Sequence, residues 1–380
     1  MKEVKVRRWN KLDIERGTRV LLRLELNVPM KSGKMMANEG ANYRLEQALP
    51  ELRALRARGA CVIILAHLGD PGGQRVQSLS LKPVIRWLGE AIKQEIKLLE
   101  GPTDPETVKT VNQMAPGEIV ALENIRFWPG EEKNDSTFVK ELASLGQVFV
   151  NNAFGVMHRA QASVTGLPRY LPAFAGELVA REVAALTGAW PRPAIAIQGG
   201  AKLALKLPLL QALLNEVQDI YVGGALAIPL AVAAGQNLPK KILTAVDPRD
   251  IKAAQALLDI GRKQLRIPVD FTLDQTLTRV LDVGPRTVEE MVFGLQQAKA
   301  LFWNGPLGVI EESLGQKATL ELGRAIGQAH LKMAIAGGGE TVDFLRANHL
   351  TAGFTHLSTG GGAALALVAG EELPGLVTLR

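Results

Sequence analysis

The 380-residue chain contains a single cysteine, three tyrosines and no long uninterrupted hydrophobic run. One cysteine excludes an intramolecular disulfide, and Cys61 lies in an apolar run, which is typical of a small buried core residue. No stretch reaches the roughly 18–20 consecutive apolar residues of a membrane span, and the charged first residues lack the apolar segment of a secretory signal. We therefore expect a cytoplasmic protein without a membrane partner.

A basic tract with interleaved aromatic residues is also missing, although the net charge is +6 and the isoelectric point is about 9.4. No nucleic-acid partner is therefore expected. The positive charge favours small anionic ligands such as phosphorylated substrates instead. A chain of 380 residues with 47% hydrophobic content is expected to form a soluble globular protein of two domains.

Short strand-like runs alternate with longer helical patterns along the whole chain. In the first half, strands are predicted at residues 19–24, 61–66, 118–122 and 148–150, and helices at 43–58 and 81–92. A longer helix is predicted over about 174–189, and the later strands are predicted at 194–197, 220–222, 268–271, 300–303 and 333–336. This alternation predicts an α/β fold class, with two doubly wound Rossmann-like domains of parallel sheets joined by an interdomain helix.

Two glycine-rich turns, at residues 199–202 and 337–341, each follow an apolar strand-like run and lead into a helical pattern. A strand, a glycine turn and the start of a helix together present backbone N–H groups to a phosphate. Two further turns, at residues 223–225 and 303–308, also follow strands. Four such turns along one sheet edge predict a nucleotide site, because ligands of open α/β sheets bind beyond the carboxyl ends of the strands.

The first half of the chain carries polar side chains just after each predicted strand. They are Arg23, Glu25, Asn27, His67, Asp70, Glu123, Asn124, Arg126, Asn151, Asn152, His158 and Arg159, with Arg44 at the start of the first helix. Several arginines that converge on one rim favour an anion carrying phosphate and carboxylate groups.

Sequence strings along the whole chain resemble those of the phosphoglycerate kinase family in order and spacing. They are Arg-Leu-Glu-Leu-Asn-Val-Pro (23–29), Ala-His-Leu-Gly (66–69), Leu-Glu-Asn-Ile-Arg-Phe (122–127), Pro-Gly-Glu-Glu-Lys-Asn-Asp (129–135), Asn-Ala-Phe-Gly (152–155), His-Arg-Ala (158–160), Gly-Gly-Ala-Lys (199–202), Trp-Asn-Gly-Pro (303–306) and Ser-Thr-Gly-Gly-Gly-Ala (358–363). The resemblance implies reversible phosphoryl transfer between 1,3-bisphosphoglycerate and ADP, which gives 3-phosphoglycerate and ATP, with Mg²⁺ as the cofactor. It also implies a monomer whose two domains close by a hinge motion.

The resemblance assigns a role to each part of the chain. Residues 1–172 would bind the phosphoglycerate, 173–190 would form the interdomain helix, 191–363 would bind the nucleotide, and the tail from about 364 to 380 would pack back on the first domain. The implied substrate-binding residues are Glu25, Asn27, Arg44, His67, Asp70, Arg126 and Arg159. The implied catalytic residues are Arg44, Lys202 and Lys206. The implied nucleotide-binding residues are Gly200, Ala201, Lys202, Lys206, Gly224, Asn304, Pro306, Glu311, Gly338, Gly339, Glu340 and Thr341, with Glu340 at the metal-linked position.

Several residues depart from the family pattern inside these sites. Asp70 stands where the family has an arginine that grips the substrate phosphate, which reverses the local charge unless Arg75 compensates or Asp70 faces solvent. Glu25 and Glu340 replace aspartates and keep the charge, and Leu205 replaces an aspartate. Two alternatives therefore stay open: a related enzyme with another carboxylate or acyl-phosphate substrate, and a nucleotide-binding protein without turnover.

Overall fold

The computed structural model describes residues 3–36 and 39–380, with only the backbone described for residues 39–42. The chain divides into two compact units. The N-terminal unit comprises Val4–Ala184 together with Glu372–Arg380, and the C-terminal unit is built on Ala185–Glu371. Over the described residues, every helix is either too short or too polar to span a lipid bilayer.

The N-terminal unit is built around a parallel sheet of six strands in the order β5-β6-β4-β1-β7-β8. Its strands are β1 (Arg19–Leu24), β2 (Met30–Lys31), β3 (Lys34–Met35), β4 (Cys61–Leu65), β5 (Lys97–Leu99), β6 (Ile119–Leu122), β7 (Val148–Asn152) and β8 (Ala173–Ala175). Its helices are α1 (Glu39–Ala57), α2 (Lys82–Ile92), α3 (Pro105–Asn112), α4 (Pro129–Lys133), α5 (Ser136–Ser144) and α6 (Glu177–Thr187), which continues past the boundary between the units. Strands β2 and β3 form a separate antiparallel hairpin.

The C-terminal unit repeats this plan with a second parallel sheet of six strands, in the order β11-β10-β9-β14-β15-β16. Its strands are β9 (Ala194–Gln198), β10 (Asp219–Val222), β11 (Leu265–Arg266), β12 (Phe271–Leu273), β13 (Val280–Val283), β14 (Ala300–Asn304), β15 (Met333–Gly337) and β16 (His356–Leu357). Its helices are α7 (Leu203–Glu216), α8 (Ala227–Ala233), α9 (Lys240–Ala245), α10 (Pro248–Gly261), α11 (Pro285–Gln297), α12 (Lys317–Gln328), α13 (Gly339–Ala347) and α14 (Gly362–Val368). The two parallel sheets with flanking helices confirm the predicted α/β fold class.

The end of the chain returns to the N-terminal unit after the second sheet is complete. The short helix α15 (Pro374–Val377) belongs to that unit. The backbone N–H of Gly375 donates to the carbonyl of Met157 at 2.9 Å, and the N–H of Arg7 donates to the carbonyl of Leu379 at 2.7 Å. Residues near both ends of the unit's sequence are therefore joined by backbone hydrogen bonds.

The central strands are buried over almost their whole length, because helices cover both faces of a parallel sheet. The register aligns Arg23 of β1 with Leu65 of β4 and with Asn151 of β7. The carboxyl ends of these neighbouring strands therefore meet at one edge of the sheet. The polar residues that follow them in the sequence begin from that edge.

Two predicted elements differ from the observed ones. Residues 268–271 were expected to form a strand of the parallel sheet, but the sheet uses β11 instead, and Phe271 begins an antiparallel ribbon of β12 and β13. Pro268 has no N–H to donate to a ladder, so it separates the two strands. The helix expected over about 174–189 begins only at Glu177, where the Glu51 carboxylate accepts the Glu177 N–H at 2.7 Å.

Candidate active site

Basic side chains of the N-terminal unit gather around His67, which follows β4 and is only 3% exposed. Burial is the larger cause that holds the pKa of His67 well below its ordinary value, and the positive charges of Arg23, Arg126, Arg159 and Arg44 add to it. The imidazole is therefore neutral near pH 7, and the arginines supply the positive charge. These five residues are called the arginine patch below.

Asn27 and Gly69 connect two of these arginines. Arg44, on α1, donates to the backbone oxygen of Asn27 at 2.7 Å, and the Asn27 side-chain oxygen accepts the N–H of Gly69 at 2.9 Å. The Gly69 carbonyl in turn accepts a hydrogen bond from Arg126 at 2.8 Å. Backbone atoms of two strand-end loops thus fix the guanidinium groups, which lowers the entropy cost of holding them near a ligand.

Carboxylates lie at the border of the patch. Glu25, 9% exposed at the end of β1, places its negative charge near Arg23. Asp70 is exposed, and its charge acts on Arg126, which also has the Glu132 carboxylate 3.8 Å from its Nε. Burial is nevertheless the largest influence on Arg126 and lowers its pKa. The patch is therefore positive, and acidic groups partly offset its charge on the Arg126 side.

Arg75 lies outside this arrangement. Its guanidinium pairs with Glu100 and lies 5.6 Å from the ring centroid of Phe127. An arginine with both an acidic and an aromatic partner is already satisfied. The Arg75 guanidinium is therefore engaged by Glu100 and Phe127.

The second group of residues lies at the carboxyl edge of the other sheet. The four predicted glycine turns follow β9, β10, β14 and β15, and these strands are neighbours in that sheet. Gly200, Gly224, Gly305 and Gly338 all have positive φ angles, which favour glycine. At Gly199 the need is close approach, because a Cβ there would lie 2.1 Å from the carbonyl oxygen of Pro306.

A cavity of about 180 Å³ lies between these turns. Of the predicted nucleotide-binding residues, those that line it are Gly200, Ala201, Gly224, Pro306, Glu311 and Glu340. Gly338 and Gly339 instead form the start of α13, and Thr341 accepts the Gly305 N–H at 2.9 Å. Three glycines of its lining, Gly200, Gly224 and Gly308, have no side chain, which suits phosphate or ribose groups that approach closely.

Residues of β13 also line the cavity, and sequence reasoning missed them. Val280, Leu281 and Asp282 contribute this wall. Burial raises the pKa of Asp282 to about 7, although its carboxylate accepts the N–H groups of Val283 and Ala318, both at 2.9 Å. An acidic residue between the apolar Leu281 and Val283 was the signal in the sequence for a buried carboxylate.

The two predicted catalytic lysines differ in their surroundings. Lys206 of α7 donates from Nζ to the side-chain oxygen of Asn304 at 2.7 Å, and burial lowers its pKa while Glu340 opposes that change. Lys202 is exposed and is the residue that precedes the helix. Lys202 therefore lies at the cap position of α7, whereas Lys206 lies inside the helix and is held by the last residue of β14.

The fit of a magnesium ion depends on Glu340. Among residues 3–36 and 39–380, no group of three or more His, Cys, Asp or Glu side chains is arranged to hold a metal ion. Glu340 is exposed in the first turn of α13 and lines the cavity. One carboxylate with several phosphate and water oxygens is an ordinary coordination shell for Mg²⁺, so these residues fit an ion that arrives with a nucleotide.

Comparisons with known proteins agree across nearly the whole chain. The sequence model of the phosphoglycerate kinase family matches residues 10–371. A phosphoglycerate kinase of Granulibacter bethesdensis is 39% identical over 395 residues, which cover 97% of this chain and 98% of that protein. One of Chloroflexus aggregans is 36% identical over 391 residues, which cover 96% of each.

Solved structures lead to the same family. A phosphoglycerate kinase structure from Coxiella burnetii has a TM-score of 0.85 and 32% identity, and covers 99% of both chains. One from Pyrococcus horikoshii has a TM-score of 0.88 and 30% identity, and covers 98% of both chains. With the family model and these relatives matching almost end to end, the chain belongs to the phosphoglycerate kinase family of phosphotransferases.

Proposed function

We propose that this protein catalyses reversible phosphoryl transfer between 1,3-bisphosphoglycerate and ADP, which gives 3-phosphoglycerate and ATP. The observation that carries the proposal is the arginine patch around a neutral His67, in a chain that matches the family over residues 10–371. Neither alternative, a different acyl-phosphate substrate or a nucleotide-binding protein without turnover, is favoured by the comparisons.

The arginine patch binds the phosphoglycerate in this proposal. Guanidinium groups match the geometry of phosphate and carboxylate oxygens, and several of them are already fixed by backbone hydrogen bonds. Arg44 stabilises the phosphoryl group during its transfer, while Arg126 and Arg159 hold the anionic ends of the substrate. Asn27 supports this arrangement through its bonds to Arg44 and Gly69.

The cavity between the glycine turns binds the nucleotide. Backbone N–H groups of the turns contact phosphates, Glu311 holds the ribose hydroxyls, and Lys202 and Lys206 neutralise phosphate charge. The bond from Lys206 to Asn304 supports this role because it holds the ammonium group at the end of β14. Glu340 would hold Mg²⁺, which supplies neutralisation of the charge on the phosphate oxygens when it is bound.

Phosphoryl transfer needs little covalent chemistry from a protein. Positioning and electrostatic stabilisation supply most of the rate, so the acceptor and the nucleotide must reach in-line contact. We propose that hinge closure brings them together and excludes water. We also propose a monomer that works in the cytoplasm on small molecules, in glycolysis or the reverse direction, without nucleic-acid or membrane partners.

A coupled assay with 3-phosphoglycerate and Mg-ATP tests the proposal. We expect turnover that follows both substrate concentrations and is lost in Lys206→Ala, because removing the ammonium group leaves phosphate charge without a partner. Calorimetry with Mg-ADP is run on the same preparation. Tight ADP binding without any turnover would overturn the proposal and favour the non-enzymatic alternative. Turnover with another carboxylate, but not with 3-phosphoglycerate, would favour the different substrate.

A further inference from the structure

Four buried polar side chains of the N-terminal unit form one continuous chain of hydrogen bonds. Glu131 of α4, Ser163 of a π-helical turn and Arg23 of β1 are each 0% exposed, and His67 is 3% exposed. Ser163 Oγ bonds to Glu131 Oε1 at 2.6 Å, and Arg23 Nε bonds to Ser163 Oγ at 2.9 Å. Arg23 Nη2 lies 3.0 Å from His67 Nδ1.

The direction of every bond in this chain follows from the donors and acceptors present. A guanidinium group has only donors, so the Arg23 hydrogens must point at Ser163 Oγ and at His67 Nδ1. The Ser163 hydroxyl then has one hydrogen left, which it donates to Glu131, as does its backbone N–H at 3.0 Å. His67 Nδ1 accepts and therefore carries no proton, which leaves the imidazole hydrogen on Nε2.

We infer that Arg23, Ser163 and Glu131 are positioning residues that fix His67 as a neutral imidazole with its hydrogen on Nε2. His67 is then an uncharged hydrogen-bond donor among cationic arginines, and its Nε2–H donates to an oxygen of the anionic substrate. This last consequence rests on the proposed function.

Charges that face these groups support the assignment. The Glu131 carboxylate, with Glu25, is the source of negative charge that acts on the buried Arg23, while Arg126 opposes it. Burial raises the pKa of Glu131, and Arg23 with the Ser163 bonds opposes that change. His67 faces Arg23, Arg126, Arg159 and Arg44, so a proton on Nδ1 would add a further positive charge where desolvation already disfavours it.

Nitrogen-15 NMR of the free wild-type protein tests the protonation state directly. The chain has five histidines, and the spectrum of His67→Gln identifies the signals of His67 by their loss. We expect an unprotonated Nδ1 and a protonated Nε2 that do not change between about pH 5 and 8. A proton on Nδ1, or titration to imidazolium within this range, would overturn the inference. The measurement does not depend on turnover, so its result is separate from that of the coupled assay.

Ser163→Ala tests the chain of hydrogen bonds, with Ser80→Ala as a matched control. Ser80 donates to the buried Glu123 at 2.6 Å in the same unit, but no arginine of the patch is bonded to that pair. Losing the Ser163 hydroxyl leaves Arg23 Nε without its acceptor, so we expect the KM for 3-phosphoglycerate to rise about ten-fold at unchanged KM for ATP. We also expect the His67 signals to shift or titrate in Ser163→Ala only. Unchanged His67 signals in Ser163→Ala, or equal changes in both variants, would contradict the positioning role.

Discussion

The two parallel sheets have similar topologies, but different types of residue lie at the carboxyl ends of their strands. In the N-terminal unit, the buried Arg23 is the last residue but one of β1, and His67 and Arg126 come after β4 and β6. In the C-terminal unit, the corresponding turns place Gly200 and Gly224 beside a small cavity. The N-terminal site is therefore built mainly on cationic side chains, and the C-terminal site is built on glycine turns.

This difference determines what each site tolerates. A charged site must offset desolvation, and burial lowers the pKa of both Arg23 and Arg126. It depends on counter-charges such as Glu131, so it is sensitive to changes of charge. Glycine turns carry no side-chain charge, but side-chain atoms would fill the space that these turns need, so the second site is sensitive to changes of shape.

The largest effect is expected for Arg44→Ala in the charged site. Removing an arginine that stabilises a transferring phosphoryl group costs about 10³-fold or more in kcat. Arg53→Ala is the control, because Arg53 lies on the same helix but is exposed and donates to the carbonyl of Ala91. Steady-state kinetics of both variants provide the measurement. A kcat for Arg44→Ala within about ten-fold of wild type would remove Arg44 from the chemical step.

The corresponding change of shape in the other site is Gly199→Ala. The added Cβ would meet the Pro306 carbonyl oxygen at 2.1 Å and the Gly305 carbonyl oxygen at 2.6 Å, so the turns must separate. A strain of up to about 3 kcal/mol corresponds to a loss of about a hundred-fold in ADP affinity. Gly327→Ala is the control, because nothing lies within 4 Å of that position in α12. Equal ADP affinities in calorimetry would show that the turns do not contact the nucleotide.

The sequence predicts the two strand-end groups well, for a simple physical reason. Parallel strands place all their carboxyl ends at one edge of a sheet. His67 is therefore expected near the other strand ends of the first sheet, and Gly200 near those of the second sheet, without any knowledge of side-chain packing. The sequence does not predict which residues from other elements form hydrogen bonds to these groups. Ser163 lies in a π-helical turn and Glu131 in a helix of five residues, and neither has a periodic pattern that would indicate its partner.

Local sequence patterns also have limits at the ends of helices and strands. The four-residue spacing of Lys202 and Lys206 is that of neighbours on one helix face, but α7 begins at Leu203, after the first lysine. Local spacing predicts a common face only when both residues lie inside the helix. The run at 268–271 resembles a central strand except for Pro268. A proline is excluded from a central strand, so Pro268 was the local signal against that prediction.

Asp70→Arg makes the charged site more positive and tests whether its acidic border limits binding. Asp70 places negative charge near Arg126. The interaction energy of a charge pair at contact distance is about 1 kcal/mol in water and about 4 kcal/mol at an effective dielectric constant of about 20. We expect the KM for 3-phosphoglycerate to fall about ten-fold, and about half as far on a logarithmic scale for Asp70→Asn. The KM for ATP should not change. An unchanged KM for 3-phosphoglycerate in both variants would show that position 70 faces solvent rather than the substrate.

The smallest expected effect compares one buried carboxyl in each unit. Burial raises the pKa of Glu51 and of Asp282 to about 7, from ordinary values of 4.5 and 3.8. Each of these two carboxyls therefore binds more protons in the folded protein than in the unfolded chain between about pH 4 and 7. Their contribution to the free energy of unfolding falls as pH rises through this range and levels off above it.

Glu51→Gln and Asp282→Asn each remove one of these titrations. Asp282→Asn loses some stability at pH 5, because both carboxyl oxygens of Asp282 accept backbone N–H groups and an amide nitrogen cannot accept. The fall in Tm between pH 5 and 8 should nevertheless be less steep than in wild type, by a few degrees at most. Thermal unfolding across this range measures the slopes. If the fall in Tm with pH is as steep as in wild type for Asp282→Asn and flatter for Glu51→Gln, the proton uptake belongs to the N-terminal unit alone. The opposite result would assign the proton uptake to the C-terminal unit.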